Sequence, residues 1–302
     1  MHGGHRVGVV IPARNERRFI RGVIEGLPAF VDLAVVVDDG SDDGTAERAR
    51  TASTSVEVEV VRLTGEGVGA AIDAGHRCLL ERWDEPFVSA VMAGDGQMDP
   101  QDLLAVIEPV TAGKADHVKG DRRLDGYKGM PASRRWATAL LSFFTTLACG
   151  QRVHDPQCGY TATHRRVLEA WDWKRAWRGY GYPNHWLIHL TGMGYRIAHV
   201  PVKSVYGDEV SGIVKRRFFI RVGWMMAVEH HRRNLRWLIP HRACWPSYVA
   251  LAAYTAGWIA WVAVLTEGWT ASFVAIVSWT TAHLFDRWAV VLRKGGAMHA
   301  AV

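Results

Sequence analysis

The 302 residues, 49% of them hydrophobic and 22% charged, suffice for one large α/β domain or two smaller ones with a substantial core. A net charge of +6 favours a polyanionic partner, and the cations gather in KRRFFIRV (215–222) and HHRRNLRWLIPHR (230–242), just before an apolar stretch, which points to a membrane surface rather than nucleic acid. Cys78, Cys149, Cys158 and Cys244 are far apart and form no CxxC pair, which argues against a zinc knuckle or a disulfide framework and fits a reducing cytosolic face.

The charged MHGGHR leads directly into a strand-like VGVVI (7–11), with no apolar signal segment in between. Further short β-branched runs follow at LAVVV (33–37), VEVEVV (56–61), FVSAVM (87–92) and ADHVK (115–119). Helices are expected between them, over 15–27, 45–53, 69–83 and 100–112. Strands alternating with helices imply an α/β, Rossmann-like, mostly parallel sheet with helices on both faces. In such a sheet ligands sit at the carboxyl ends of the strands. From 211 to 240 aromatic and aliphatic residues mix with clustered Arg and Lys, the pattern of an interfacial amphipathic helix. WPSYVALAAYTAGWIAWVAVL (245–265) then offers 21 residues without a formal charge, enough for a helix to span a hydrocarbon core of roughly 30 Å. A second apolar run reaches from Trp269 to about Leu292, interrupted near its end by His283, Asp286 and Arg287. Thr266, Glu267 and Gly268 would turn the chain between the two. Cations at Arg242, Arg293 and Lys294 would place both ends of this hairpin in the cytosol. The expected organisation is a catalytic domain over 1–210, amphipathic juxtamembrane helices over 211–242 and a transmembrane hairpin with a short tail over 243–302.

Three motifs stand where strands end. VVIPARNE (9–16) breaks at Pro12 into a turn carrying Arg14, Asn15 and Glu16. VVVDDGSDDGT (35–45) ends a buried strand in Asp38 and Asp39, whose carboxylates can accept from a base N–H or ribose hydroxyls; Asp42 and Asp43 read as helix caps. VMAGDGQMDP (91–100) supplies Asp95 and Gln97, hard oxygen donors suited to Mg²⁺ or Mn²⁺ on substrate phosphates.

These three, followed in order by DPQCGYTA (155–162) and YGDEVS (206–211), resemble glycosyltransferase family 2, and within it the polyprenyl-phosphate glycosyltransferases such as dolichyl-phosphate mannose and glucose synthases. The resemblance covers about residues 6–215. It implies a GT-A fold and an inverting, membrane-anchored enzyme with its catalytic domain in the cytosol. Such an enzyme moves a sugar from a UDP- or GDP-linked donor to a polyprenyl phosphate. It further implies that Pro12, Ala13, Arg14, Glu16, Asp38 and Asp39 hold the nucleoside. Asp95 and Gln97 would hold the metal, with Asp95 and Asp155 catalytic. Arg122 in KGDRR, with Arg134 and Thr138 in SRRWATALL, would hold the acceptor phosphate, where Arg forks and a hydroxyl suit that anion.

Three positions depart from the family's pattern. Ala93 stands where relatives carry the first carboxylate of DxD, leaving Asp95 to act with Gln97, Asp99 or the donor phosphates. His185 in GYPNHW (181–186) replaces an acidic residue, and Val68 in GEGVG (65–69) replaces a Lys. Two rival readings remain. A processive polysaccharide synthase usually ends in QxxRW, against which this chain has Arg233-Asn234-Leu235-Arg236-Trp237. A non-catalytic nucleotide-sugar-binding scaffold would suit the loss at Ala93. Pairing of chains through the hairpin is a further expectation, and no nucleic-acid partner is expected.

Overall fold

A computed structural model of the chain describes residues 1–127, 130–203, 205, 215–235 and 244–299, with the side chains at 133, 134, 215–217, 265 and 293–299 outside that description. The chain divides into two compact units. The first comprises Met1–Ser142, His154–Trp186 and Tyr195–Val222; the second comprises Phe143–Val153, Leu187–Gly194 and Gly223–Val302.

The first unit is built on a seven-stranded sheet. Its strands are β1 (Arg6–Ala13), β2 (Leu33–Asp39), β3 (Glu57–Leu63), β4 (Phe87–Val91), β5 (His117–Asp121), β6 (Thr161–His164) and β7 (Ile197–Pro201), in the spatial order β3-β2-β1-β4-β6-β5-β7. All five strands expected from the sequence are present. β1 from Val7 and β2 as far as Val37 are apolar runs because helices cover both faces of the sheet. Val9 and Ile11 of β1 belong to the same core as Ile20, Val23 and Ile24 of α1 (Ile20–Glu25) and Val106 and Ile107 of α4 (Leu103–Thr111). Val10 and Gly8 instead face Gly75 and Leu79 of α3 (Val68–Arg82). That is the period-two alternation of a strand buried on both sides. β3, at the edge, alternates polar Glu57 and Glu59 with half-buried Val58 and Val60, the pattern of a strand with one solvated face.

β6 and β7 were not legible from the sequence. β6 is four residues, TATH, inserted antiparallel between β4 and β5, too short and too polar for a periodicity signal. β7 pairs parallel with β5. Because β6 is antiparallel to both neighbours, β5 runs in the same direction as β1, β2 and β4. The carboxyl ends of those four strands therefore share one edge of the sheet. The remaining helices of the sheet region are α2 (Thr45–Arg50), α5 (Ala132–Cys149), α6 (Arg165–Glu169) and α7 (Tyr182–Gly192). The helix expected over 15–27 shortens to Ile20–Glu25, because Asn15 takes a left-handed conformation at φ 58° and Glu16 starts a turn.

In the second unit α8 (Lys215–Leu235), which continues from the first, precedes α9 (Trp245–Glu267) and α10 (Trp269–His299). The last two form a hairpin turning at Gly268, with Trp258 edge-on to Trp279 at 5.4 Å and Trp245 edge-on to Trp288 at 4.6 Å. Among the described residues one helix, Trp245–Val264, is long and apolar enough to cross a membrane, by length and composition alone. α10 does not reach that standard, because its run carries His283, Asp286 and Arg287 among several Ser and Thr. Asp286 is buried and pairs with the equally buried Arg233 of α8, which is how a carboxylate is accommodated inside an otherwise apolar helix.

Candidate active site

The first unit assembles acids and arginines along the edge where β1, β2, β4 and β5 end. Ala13 lies in register beside Asp38, and the Pro12 carbonyl accepts from the Gly94 N–H at 3.0 Å. The PARNE turn is thereby joined to both the DDGS and the GDGQ segments. The turn is laced onto the loop after β2: Asn15 N–H donates to Ser41 Oγ at 2.9 Å, Asp42 N–H to Asn15 Oδ1 at 3.1 Å, and Glu16 N–H to Thr45 Oγ1 at 2.9 Å. Arg14 lies beside Gly65, within van der Waals reach of a Cβ built there.

Asp38 and Asp39, successive residues of a strand, point to opposite faces, and each holds a different loop. Asp38 is fully buried and accepts from Ser41 N–H at 3.0 Å, with Arg62 Nε 3.2 Å from its other oxygen. Asp39 accepts from the N–H groups of Glu66 and Gly67 at 2.6 and 2.8 Å. Backbone anchoring thus accounts for part of what the two adjacent acids do. The GEGVG segment is itself packed against the chain's own Trp177–Arg178 backbone, with Gly69 N–H donating to the Arg178 carbonyl at 2.8 Å. Below it, Asp73 of α3 faces Tyr182, and burial pushes its carboxyl up to about 7 against the opposing pull of the Tyr182 hydroxyl and of Arg77 and Arg178.

Asp95 is half-buried and accepts from the Gln97 N–H at 3.0 Å, so the two side chains leave one tight turn after β4. Asp99 is committed elsewhere: it caps the Pro100–Asp102 turn through Gln101 N–H and binds Lys203 Nζ at 2.7 Å. This removes it from the donors considered for a metal. Gln97, Arg122 and Lys203 line one small cavity. The donor set is one carboxylate and one amide oxygen. It fits a hard divalent cation that keeps waters and takes the remaining oxygens from a diphosphate.

Asp155 is fully buried, and Arg122 grips it with a fork: Nε to Oδ2 at 2.8 Å and Nη2 to Oδ1 at 3.0 Å. The sequence placed one at the reacting centre and the other on the acceptor phosphate; in the fold they are partners. Next to them, Asp121 is fully buried and accepts from His154 Nδ1 at 2.9 Å and from Arg123 N–H at 2.9 Å. Sequence reasoning missed Asp121 and His154, although KGDRR and the residue before DPQCGY held them both in plain view. It also missed Lys119, buried in β5 with Nζ on the Cys158 carbonyl, where burial lowers its pKa to about 8. Thr138 is 4% exposed on α5, while the Arg134 side chain lies outside the described residues. His185 is buried edge-on to Trp171. The segment 206–211 and Arg236 and Trp237 lie outside the described residues.

The arrangement is one edge of a parallel sheet lined by carboxylates and guanidiniums. The sequence profile of glycosyl transferase family 2 matches residues 8–171, the span from β1 to just past α6 that builds this edge. The chain belongs to glycosyltransferase family 2. This glycosyltransferase is 27% identical over 217 residues to the UDP-N-acetylglucosamine–dolichyl-phosphate N-acetylglucosaminyltransferase of Methanococcus voltae, covering 66% of this chain and 86% of that one. It is 30% identical over 212 residues to the polyprenol monophosphomannose synthase of Mycolicibacterium smegmatis, covering 65% and 76% of the two chains. Among solved structures it resembles the glucosyl-3-phosphoglycerate synthase of Mycobacterium tuberculosis in complex with Mn²⁺, UDP-glucose and phosphoglyceric acid. That likeness has a TM-score of 0.57 at 22% identity, covering 76% and 80% of the two chains. It establishes the GT-A-like fold of the transferase.

Proposed function

We propose that this glycosyltransferase moves a sugar, with inversion, from a UDP- or GDP-linked donor to a polyprenyl phosphate at the cytosolic face of a membrane. The observation that carries the reading is the shared strand edge: Arg14, Glu16, Asp38, Asp39, Asp95 and the Arg122–Asp155 pair all belong to segments that end there. The names of the relatives from Methanococcus and Mycolicibacterium supply the acceptor class.

In this reading the PARNE turn and the tip of β2 hold the nucleoside, with Arg14 turned toward the diphosphate. Asp95 and Gln97 would hold Mg²⁺ or Mn²⁺, which supplies charge neutralisation on the diphosphate as the bond to the sugar breaks. An oxygen of the lipid phosphate attacks the anomeric carbon, and the electron pair of the broken bond leaves with the nucleoside diphosphate. Asp155 fixes the plane of the Arg122 guanidinium, so that its charge is already aimed when the acceptor phosphate arrives and little reorganisation is needed. Arg134 and Thr138 on α5 complete the acceptor side, Thr138 after a side-chain adjustment that exposes its hydroxyl.

Membrane attachment is supported by α9 and by exposed apolar side chains elsewhere. On α5, Trp136, Leu140, Phe143 and Phe144 are 78, 51, 58 and 44% exposed. They recur at helical spacing on one stripe, an arrangement that favours a nonaqueous contact. Trp224 and Ile220 do the same on α8. The hairpin of α9 and α10 would be the integral anchor, with Asp286 sheltered against Arg233.

A panel of nucleotide sugars with and without Mn²⁺ in a thermal-shift measurement tests the donor half. The expected result is stabilisation by one UDP- or GDP-sugar that depends on the metal and is lost in Asp95→Ala. Stabilisation by none of them would overturn the reading.

A further inference from the structure

The end of β5 and the segment before β6 hold each other through two crossed pairs of neighbours. Asp121 takes His154, and Arg122 takes Asp155. Besides tying the two segments, the second pair leaves an imidazole with one nitrogen committed. With Nδ1 on the Asp121 carboxylate, Nε2 faces away from it, and the side chain is 25% exposed. A buried carboxylate behind an imidazole is the arrangement that fixes the ring's orientation and steadies it when it gains a proton at the far nitrogen.

The charged and titratable groups around the ring come from each element packed on it. β5 contributes Asp121, and the turn after it Arg123, whose Nη2 is 3.8 Å from the same carboxylate. β7 contributes His199, its ring 5.0 Å away; burial first, then the neighbouring His154, lowers its pKa to about 4, so it is uncharged near neutrality. The adjoining Asp155 is matched by Arg122.

We propose that His154, oriented by Asp121, accepts the second proton of the acceptor phosphate and then pairs as imidazolium with the resulting dianion. This role rests on the polyprenyl-phosphate reading above. The phosphate O–H bond breaks as the Nε2–H bond forms. A phosphate oxygen then bonds to the anomeric carbon while the bond from that carbon to the donor diphosphate oxygen breaks and its electron pair leaves with the nucleotide. The imidazolium returns its proton to water after the lipid-linked product departs. A monophosphate ester has its second ionisation near pH 6, so the assistance matters most on the acid side. Asp121 is a positioning residue.

The test is the pH profile of kcat/KM for polyprenyl phosphate between pH 5.5 and 9, using the full chain in lipid vesicles, for the wild type, His154→Gln and Asp121→Asn. In His154→Gln the acid limb moves up by about one pH unit, so the deficit is about tenfold near pH 6 and closes to under about twofold at pH 9. KM for the nucleotide sugar stays unchanged. Asp121→Asn shifts the limb in the same direction by less. A deficit that is constant across pH, or no deficit, overturns the role and leaves a purely structural clasp. A wild type that binds nucleotide sugar yet transfers nothing to polyprenyl phosphate at any pH overturns the acceptor reading, and this role with it.

Discussion

Asp73 shows how a single buried carboxyl ties stability to pH in this fold. An exposed aspartate titrates near 3.8 and the folded Asp73 at about 7, so between those values the unfolded chain is ionised while the folded chain keeps its proton. Folding then takes up a proton, and stability falls as pH rises through that window, reaching a penalty on the order of 4 kcal/mol above it. Asp73→Asn removes the penalty. The gain in thermal stability over the wild type should therefore be larger at pH 8 than at pH 5, and equal gains at both would contradict the assigned burial. At this scale the sequence revealed which residues matter more readily than what they touch. Asp38, Asp39, Asp95 and Asp155 stood out as acids at strand ends. That Asp39 grips the Glu66 and Gly67 backbone, or that Asp155 belongs to Arg122, depends on loops brought together from 27 and 33 residues away. No local pattern encodes such pairings. Asp121 and His154 escaped notice for the same reason: each is unremarkable until its partner is known.

At the scale of elements, the strands with long apolar runs were legible because hydrophobic periodicity is local, whereas β6 depends on the edges of β4 and β5, and β7 on that of β5. The start of α3 illustrates a tertiary constraint written as glycine. A Cβ on Gly69 would collide with the Trp177 carbonyl and the Tyr182 ring, so Gly69→Ala must displace the segment before α7. We expect a loss of about 1–3 kcal/mol, as for an overpacked contact, read as a lowered thermal midpoint together with weaker nucleotide-sugar stabilisation, since Asp39 holds the same loop. An unchanged midpoint would contradict the close packing. In the helical unit, the buried Arg233–Asp286 pair makes a different forecast. Asp286→Leu alone removes the carboxylate that faces the buried Arg233 and should cost on the order of 3 kcal/mol, while Arg233→Met with Asp286→Leu should recover most of it. Detergent-resistance melting curves of the two variants distinguish these outcomes. Asp286 looked from the sequence like an interruption of a membrane span; its burial against α8 is the physical reason it is tolerated there.

For the whole molecule, the apolar runs that begin at Trp245 correspond to helices α9 and α10, and one of them qualifies as a span by length and composition. A sheet edge lined with acids, joined in one chain to an apolar hairpin, suits a reaction between a water-soluble donor and an acceptor whose tail stays in lipid. The most direct measurement is transfer of label from a nucleotide sugar into an organic-soluble, mild-acid-labile product when the purified chain meets polyprenyl phosphate in vesicles. The account predicts that the wild type forms this lipid-linked sugar and that Asp95→Ala, equally well integrated in the membrane, does not. Label appearing in a polymer, or product formed undiminished by Asp95→Ala, would contradict it.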